Sequence, residues 1–228
     1  MIERLLAGIR RFRTEIYPRH EQLYQSLAHG QSPHTLMVTC SDSRLDPHLI
    51  TQSLPGELFV LRNAGNIVPP HGAIDGSEEA TIEFALAKLD VRCIVVCGHS
   101  NCGAMAAVVG QVDVSDLKEV RQWLRHAEPV QRELWHSGLE GAALVRAAVH
   151  GNVLVQIEHL RTHPTVQERL ARGDLEIYGW VFDIETGDVL GYDPVNGRFS
   201  SLSDRGDPDL AARIDLAHTP RGSQPPPA

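Results

Sequence analysis

The sequence predicts an α/β protein, with a mostly parallel central β-sheet flanked by helices, an N-terminal helical arm and a C-terminal hairpin. Three observations carry that prediction. Apolar, β-branched stretches alternate with helical patterns between residues 35 and 109, as parallel strands joined by helices require. A helical face without strand character precedes them, and a late pair of alternating stretches around a Glu185-Thr186-Gly187-Asp188 turn follows. The chain of 228 residues, 42% hydrophobic, is long enough for one sizeable core.

In order along the chain, Leu5, Ile9, Phe12 and Ile16 recur at four- and three-residue steps and predict one apolar helix face over 2–17. Pro18 ends that helix, and a second runs through Leu23 and Leu27 to Gly30. The face suits either packing on its own domain or an arm across a second subunit. A strand follows at 35–40; Asp46-Pro47 is an N-cap and first-turn pair for a short helix to about Gln52. Gly56 precedes a strand near 57–62, and Ser77-Glu78-Glu79 starts a helix that turns Ile82, Ala85, Leu86 and Leu89 inward. A strand at 92–97 leads to a helix from Asn101 to Val109. Residues 115–172 read as helical, with apolar lines Leu117-Val120-Leu124 and Val153-Ile157-Leu160 and a helix restarted at Pro164. Strands at 175–183 and 189–193 close the fold, and Thr219 to Ala228, rich in Pro, Gly and Ser, predicts a disordered end. The division expected is an arm over 1–30, a catalytic domain over 31–205 and a tail over 206–228.

Charge and cysteine content narrow the function. Basic side chains number 21 against 29 acidic, a net charge of −8 with no basic cluster, which argues against nucleic-acid and anionic-membrane partners. No apolar run approaches the roughly 20 residues of a membrane span, and Glu3, Arg4, Arg10, Arg11 and Arg13 interrupt any leader-like segment. Four cysteines, at 40, 93, 97 and 102, are too few for a disulfide framework. A cytoplasmic protein with reduced thiols is expected.

Two segments carry the chemistry: Cys40-Ser41-Asp42-Ser43-Arg44 and Gly98-His99-Ser100-Asn101-Cys102-Gly103. Each follows an apolar stretch, so both fall beyond the carboxyl ends of strands, where ligands of open α/β sheets bind. Two thiolates and an imidazole suit a borderline-soft ion such as Zn²⁺, and three protein ligands leave a position for chemistry. A carboxylate beside two thiolates is repelled unless a cation holds it, and Arg44 stands two residues from Asp42 with a bidentate fork. With Asp42 held by Arg44 the metal keeps an open position; with Asp42 on the metal the site is closed. The residues permit either state. The three residues between Cys40 and Arg44, rather than five, argue against a cysteine phosphatase loop. Cys93 and Cys97 lie within a strand and read as core, and His71 reads as a loop residue.

The Cys-x-Asp-x-Arg and His-x-x-Cys pair, with Gly-Glu-Leu-Phe-Val (56–60) and Arg62-Asn63-Ala64-Gly65-Asn66 between them and Gly179-Trp180-Val181-Phe182-Asp183 late in the chain, resembles the β-class carbonic anhydrases. Within the class it looks most similar to the bacterial group often encoded beside cyanate-degrading enzymes. The resemblance covers roughly residues 1–200. It implies Cys40, His99 and Cys102 as ligands of one Zn²⁺ per subunit, Asp42–Arg44 as a catalytic dyad, and attack of zinc-bound hydroxide on CO₂ to give bicarbonate and a proton. It also implies a substrate pocket of Gln31, Phe59, Ala64 and the backbone of Gly103, completed across an obligate homodimer or higher even-numbered assembly. Phe84 stands where plant-like members carry a pocket tyrosine and cannot donate a hydrogen bond. Met37 and Phe182 stand where members regulated by a second bicarbonate carry Trp and Tyr, so that regulatory site is expected to be absent, although Arg62 is retained. The alternatives are a hydrolase of a CO₂-like linear molecule such as CS₂ or COS, and a catalytically idle zinc-stabilised assembly or redox partner.

Overall fold

The structure, a computed structural model, describes residues 1–73 and 76–203. Among the described residues six strands form one sheet: β1 (Thr35–Cys40), β2 (Leu58–Asn63), β3 (Cys93–His99), β4 (Glu176–Phe182), β5 (Val189–Asp193) and β6 (Arg198–Ser201), in the order β2-β1-β3-β4-β5-β6. The first four are parallel and the last two antiparallel. From β1 the chain proceeds to β2 on one side, and from β3 to β4 on the other. The connections therefore diverge between β1 and β3, which is where a crevice opens at the carboxyl ends of a parallel sheet.

Alternation across the pleat separates two faces of unequal depth. Leu36, Val38, Ile94 and Val96 face the main core under helices α4 (Ser77–Ala87), α5 (Gly103–Val108), α7 (Glu128–Leu134), α8 (Gly141–Leu160) and α9 (Pro164–Arg172). Met37, Val95 and Cys97 face a small cluster with Leu45 and the half-buried Ile50, Val60, Trp180 and Phe182. The long α8 lies against β3 and β4, where glycines admit it. A Cβ on Gly179 would stand 2.8 Å from a Val153 methyl, and one on Gly98 3.1 Å from the other. Remaining helices are α1 (Ile2–Arg11), α2 (Glu21–Leu27), α3 (Pro47–Thr51) and α6 (Lys118–Leu124).

Most expected elements fall where the pattern puts them, with Asp46 capping α3 through the backbone N–H groups of His48 and Leu49. Three differ. The arm helix stays α-helical only to Arg11, loosens to a π turn over Phe12–Ile16 and tightens to a 3₁₀ turn over Tyr17–Arg19. Pro18 cannot donate to Thr14, so the regular ladder gives way before it rather than at it. The helix expected from Asn101 starts at Gly103, because Asn101 takes a left-handed φ of 54° and β3 runs on through His99. The terminal hairpin is the first of two, for β6 pairs with β5 behind an Asn196-Gly197 turn. The expected disordered end lies outside the described residues.

Candidate metal centre

Strand geometry brings the two ligand segments together. Cys40 is the last residue of β1, His99 the last of β3, and Cys102 the residue before α5. Since β1 and β3 are hydrogen-bonded neighbours with Thr39 opposite Cys97, the strand ends lie side by side. One ligand atom from each of Cys40, His99 and Cys102 lies within 4.8 Å of the others, and all three residues are buried.

The donor set fits a metal ion. His99 Nδ1 lies 2.9 Å from the Ser100 carbonyl oxygen, so that nitrogen carries the proton and Nε2 keeps the lone pair. Nε2 is one of two buried side-chain polar atoms without a hydrogen-bond partner among the described residues, a state that costs free energy unless another group completes it. The thiols point the same way. The Cys102 S–H, with the Gly65 and Asp42 backbone N–H groups, favours a Cys40 thiolate against burial and lowers its pKa to about 4. Cys102 is pushed up because it hydrogen-bonds a charged neighbour in a buried site. The pair thus carries one negative charge readily and a second only beside a cation.

Asp42 and Arg44 form the expected clamp. Arg44 Nε donates to Asp42 Oδ1 at 2.9 Å and Nη2 to Oδ2 at 2.7 Å, with the Arg44 backbone N–H adding a third bond at 3.0 Å. The guanidinium holds the carboxyl well below the usual carboxylate range. Arg44 also donates to the Asn101 carbonyl at 3.2 Å, which ties the two ligand segments together. Asp42 Oδ2 then stands 3.8 Å from His99 Nε2, close but not hydrogen-bonded.

The substrate-pocket residues divide into two groups. Ala64 and Gly103 belong to the loop and helix start that flank the ligands. Phe59 pairs in register with Leu36, four residues before Cys40. At about 3.3 Å per residue that is ~13 Å from the carboxyl end of the sheet. Phe84 on α4 goes with it, its ring centroid 6.1 Å from that of Phe59 and the residue 47% exposed. Gln31 is exposed and precedes β1, again at the amino end. Within one chain, then, Gln31, Phe59 and Phe84 sit at the opposite end of the sheet from Cys40.

Residues not singled out for the site by sequence reasoning hold its walls. Arg62 donates to the carbonyls of Cys40 (3.1 Å), Asp42 (2.9 Å) and Leu45 (2.9 Å), fixing the loop that carries the dyad. Gly65 gives its N–H to Cys40 Sγ at 3.3 Å with φ +84°, and a Cβ there would meet the Ala104 Cβ at 3.0 Å. Asn152 on α8 donates to the Gly65 carbonyl at 2.9 Å, and the Gln156 amide holds both Asn152 and the Val68 N–H. The Arg62–Asn66 string was the available signal for the first two; nothing local marked Asn152 and Gln156.

Comparison with known proteins now decides the family. The carbonic anhydrase family model matches residues 35–189. The chain belongs to the β-class carbonic anhydrases. It is similar to a carbonic anhydrase of Synechococcus elongatus, 49% identical over 192 residues that cover 83% of this chain and 71% of that protein. Its structure superposes on that of the β-carbonic anhydrase CcaA with a TM-score of 0.86 and 46% identity, covering 88% of this chain and 98% of the other. One of two tetrameric β-carbonic anhydrases from Sordaria macrospora superposes with a TM-score of 0.74 at 30% identity, covering 88% and 96%.

Proposed function

We propose that the protein catalyses the reversible hydration of CO₂ to bicarbonate and a proton, with one zinc ion per subunit held by Cys40, His99 and Cys102. The observation that carries this reading is the buried, unpartnered His99 Nε2 between two thiols, beside a carboxylate turned away by its own arginine. Zinc held there supplies Lewis acidity, which brings the ionisation of water to near neutral pH. The chain's residues do the rest. Arg44 keeps Asp42 off the thiolates, and the ionised carboxylate accepts a hydrogen bond at Oδ2, admitting a protonated oxygen and repelling an anionic one. Arg62 and Gly65 fix the positions of the Asp42 loop and of Cys40.

The pocket reading assigns Gln31 as a donor to a substrate oxygen, Phe59, Ala64 and Phe84 as walls, and the Gly103 backbone as a contact. The ~13 Å of sheet between Phe59 and Cys40 supports completing that pocket from a second copy of the chain. So does the arm over 1–30, whose Ile2, Leu5 and Ile9 are each more than 60% exposed. A homodimer or larger even-numbered assembly covers such a face, and the Sordaria relatives are described as tetrameric. Residues 31–205 then form the catalytic domain. The Met37 and Phe182 side chains pack with the small apolar cluster, and Arg62 is engaged with three carbonyls. Both facts support a chain without the second bicarbonate site. All four cysteines are free, and no described helix is long and apolar enough to cross a membrane. The dependence on free thiols supports a cytoplasmic location.

Stopped-flow measurement of proton release on mixing zinc-loaded protein with CO₂ tests the activity. Acceleration is expected. An inert protein, or one that consumes CS₂ or COS while ignoring CO₂, overturns it. Removal of residues 1–30 is expected to yield a smaller species by light scattering; an unchanged mass would contradict the arm's role.

A further inference from the structure

A second set of metal-type side chains lies outside the cysteine site. One ligand atom from each of His71, Glu79 and His163 falls within 4.8 Å of the others. They come from three separate elements: the loop after β2, the first turn of α4 and the residue preceding α9. His71 Nδ1 is 3.0 Å from Glu79 Oε1, which also accepts the Gly72 backbone N–H at 2.7 Å. His163 is 3% exposed, and its Nε2 lies 3.0 Å from the Pro69 carbonyl oxygen. That bond places the proton on Nε2 and fixes the ring. The three residues line a cleft of about 530 Å³ together with Ser77, Glu83 and Thr165, which gives an ion a route from solvent.

We propose that His71, Glu79 and His163 form a second metal site, which takes a divalent first-row ion such as Zn²⁺ or Co²⁺ through two imidazoles and a carboxylate. The nitrogen-rich set favours such ions over Ca²⁺ and Mg²⁺, which prefer oxygen alone. Three protein ligands leave the remaining positions to water. The carboxylate has lone pairs beyond those given to Gly72 and His71. With Nε2–H held by the Pro69 carbonyl, His163 meets the ion through the Nδ1 lone pair. The ion would join the 69–72 loop to α4 and α9. That loop is otherwise tied down by the His71 N–H to Thr162 Oγ1 at 2.8 Å and by Val68, whose carbonyl lies 2.8 Å from His159 Nδ1. The site shares no residue with the cysteine site and does not depend on the carbonic anhydrase reading.

The test uses the protein carrying its one zinc, freed of loosely held metal by a weak chelator and titrated with cobalt(II) chloride. Calorimetry and visible absorption are followed together. One further equivalent of Co²⁺ is expected, with weak d–d bands and no thiolate-to-metal charge-transfer band, accompanied by a rise in Tm. His71→Ala and Glu79→Gln should each weaken that event at least about tenfold, since even loss of an outer-shell partner costs that much, while the first zinc is retained. Glu79→Gln preserves shape and keeps the test valid should His163→Ala fail to fold. No second equivalent in the unaltered protein overturns the site. So does a second equivalent that both substitutions leave unchanged, or cobalt uptake with a charge-transfer band, which marks exchange at the cysteines.

Discussion

Cys40 and Cys97 lie on neighbouring strands one position out of register, and both are at least 95% shielded from solvent. Their chemistry is opposed. Cys97 has two strand residues beyond it and sits among Met37, Leu45 and Val95, and burial pushes its thiol up to about 12. Cys40 ends its strand, where the Cys102 thiol, His99 and the Gly65 N–H converge, and its pKa falls to about 4. Low solvent exposure alone therefore does not make equal thiols. What makes a ligand is a place at the carboxyl end of the sheet, where loop N–H groups gather and the connections diverge.

Substitutions can break that contrast, the largest effect coming from Cys40→Ser. It should lower zinc from one per chain to a small fraction by elemental analysis, with loss of hydration by at least ~10³-fold of an enzymatic acceleration that exceeds about 10⁶. Asp42→Asn should keep the zinc and lower kcat/KM by roughly 10²–10⁴-fold, the usual worth of a positioned acid–base group. A neutral result in stopped flow would remove the dyad from the reaction. Gly65→Ala touches the contrast indirectly. It strains a φ of +84° and crowds Ala104, so ~1–3 kcal/mol of stability should be lost, together with weaker zinc retention, read by denaturation and chelator competition.

The smallest effects belong to Cys97. Its folded pKa is raised, so its contribution to stability is whole below the ordinary thiol value of about 9 and drains away as pH climbs towards about 12. Denaturation profiles of Cys97→Ala should be flatter than the parent's over that window, with about 1 kcal/mol lost at neutral pH. Iodoacetamide at pH 8 should leave Cys97 unlabelled in the folded protein. Rapid labelling would show that burial does not control this thiol.

Legibility in the sequence followed the same division. The ligands were readable because each sits at a fixed, short offset from a β-branched stretch, and a strand end is a local event. The clamp was readable because Asp42 and Arg44 are two residues apart. The supporting network was not. Asn152 and Gln156 reach the Gly65–Val68 loop from across 87 and 88 residues of chain, and on α8 they interrupt an apolar line without a local sign of their target. The separation of Gln31, Phe59 and Phe84 from the ligands was equally hidden, since it appears only when register sets Phe59 opposite Leu36. The π turn at Phe12–Ile16 lay upstream of the proline that causes it, and β6 was missed although Asn196-Gly197 offered a turn signal.

The most direct test sets zinc content beside CO₂ hydration in three proteins: the parent, Cys40→Ser and Cys97→Ser. Zinc and activity should vanish together in Cys40→Ser and persist together in Cys97→Ser. A Cys40→Ser protein that hydrates CO₂ at the parent rate without zinc, or a Cys97→Ser protein that folds yet loses both, would contradict the assignment of the metal centre.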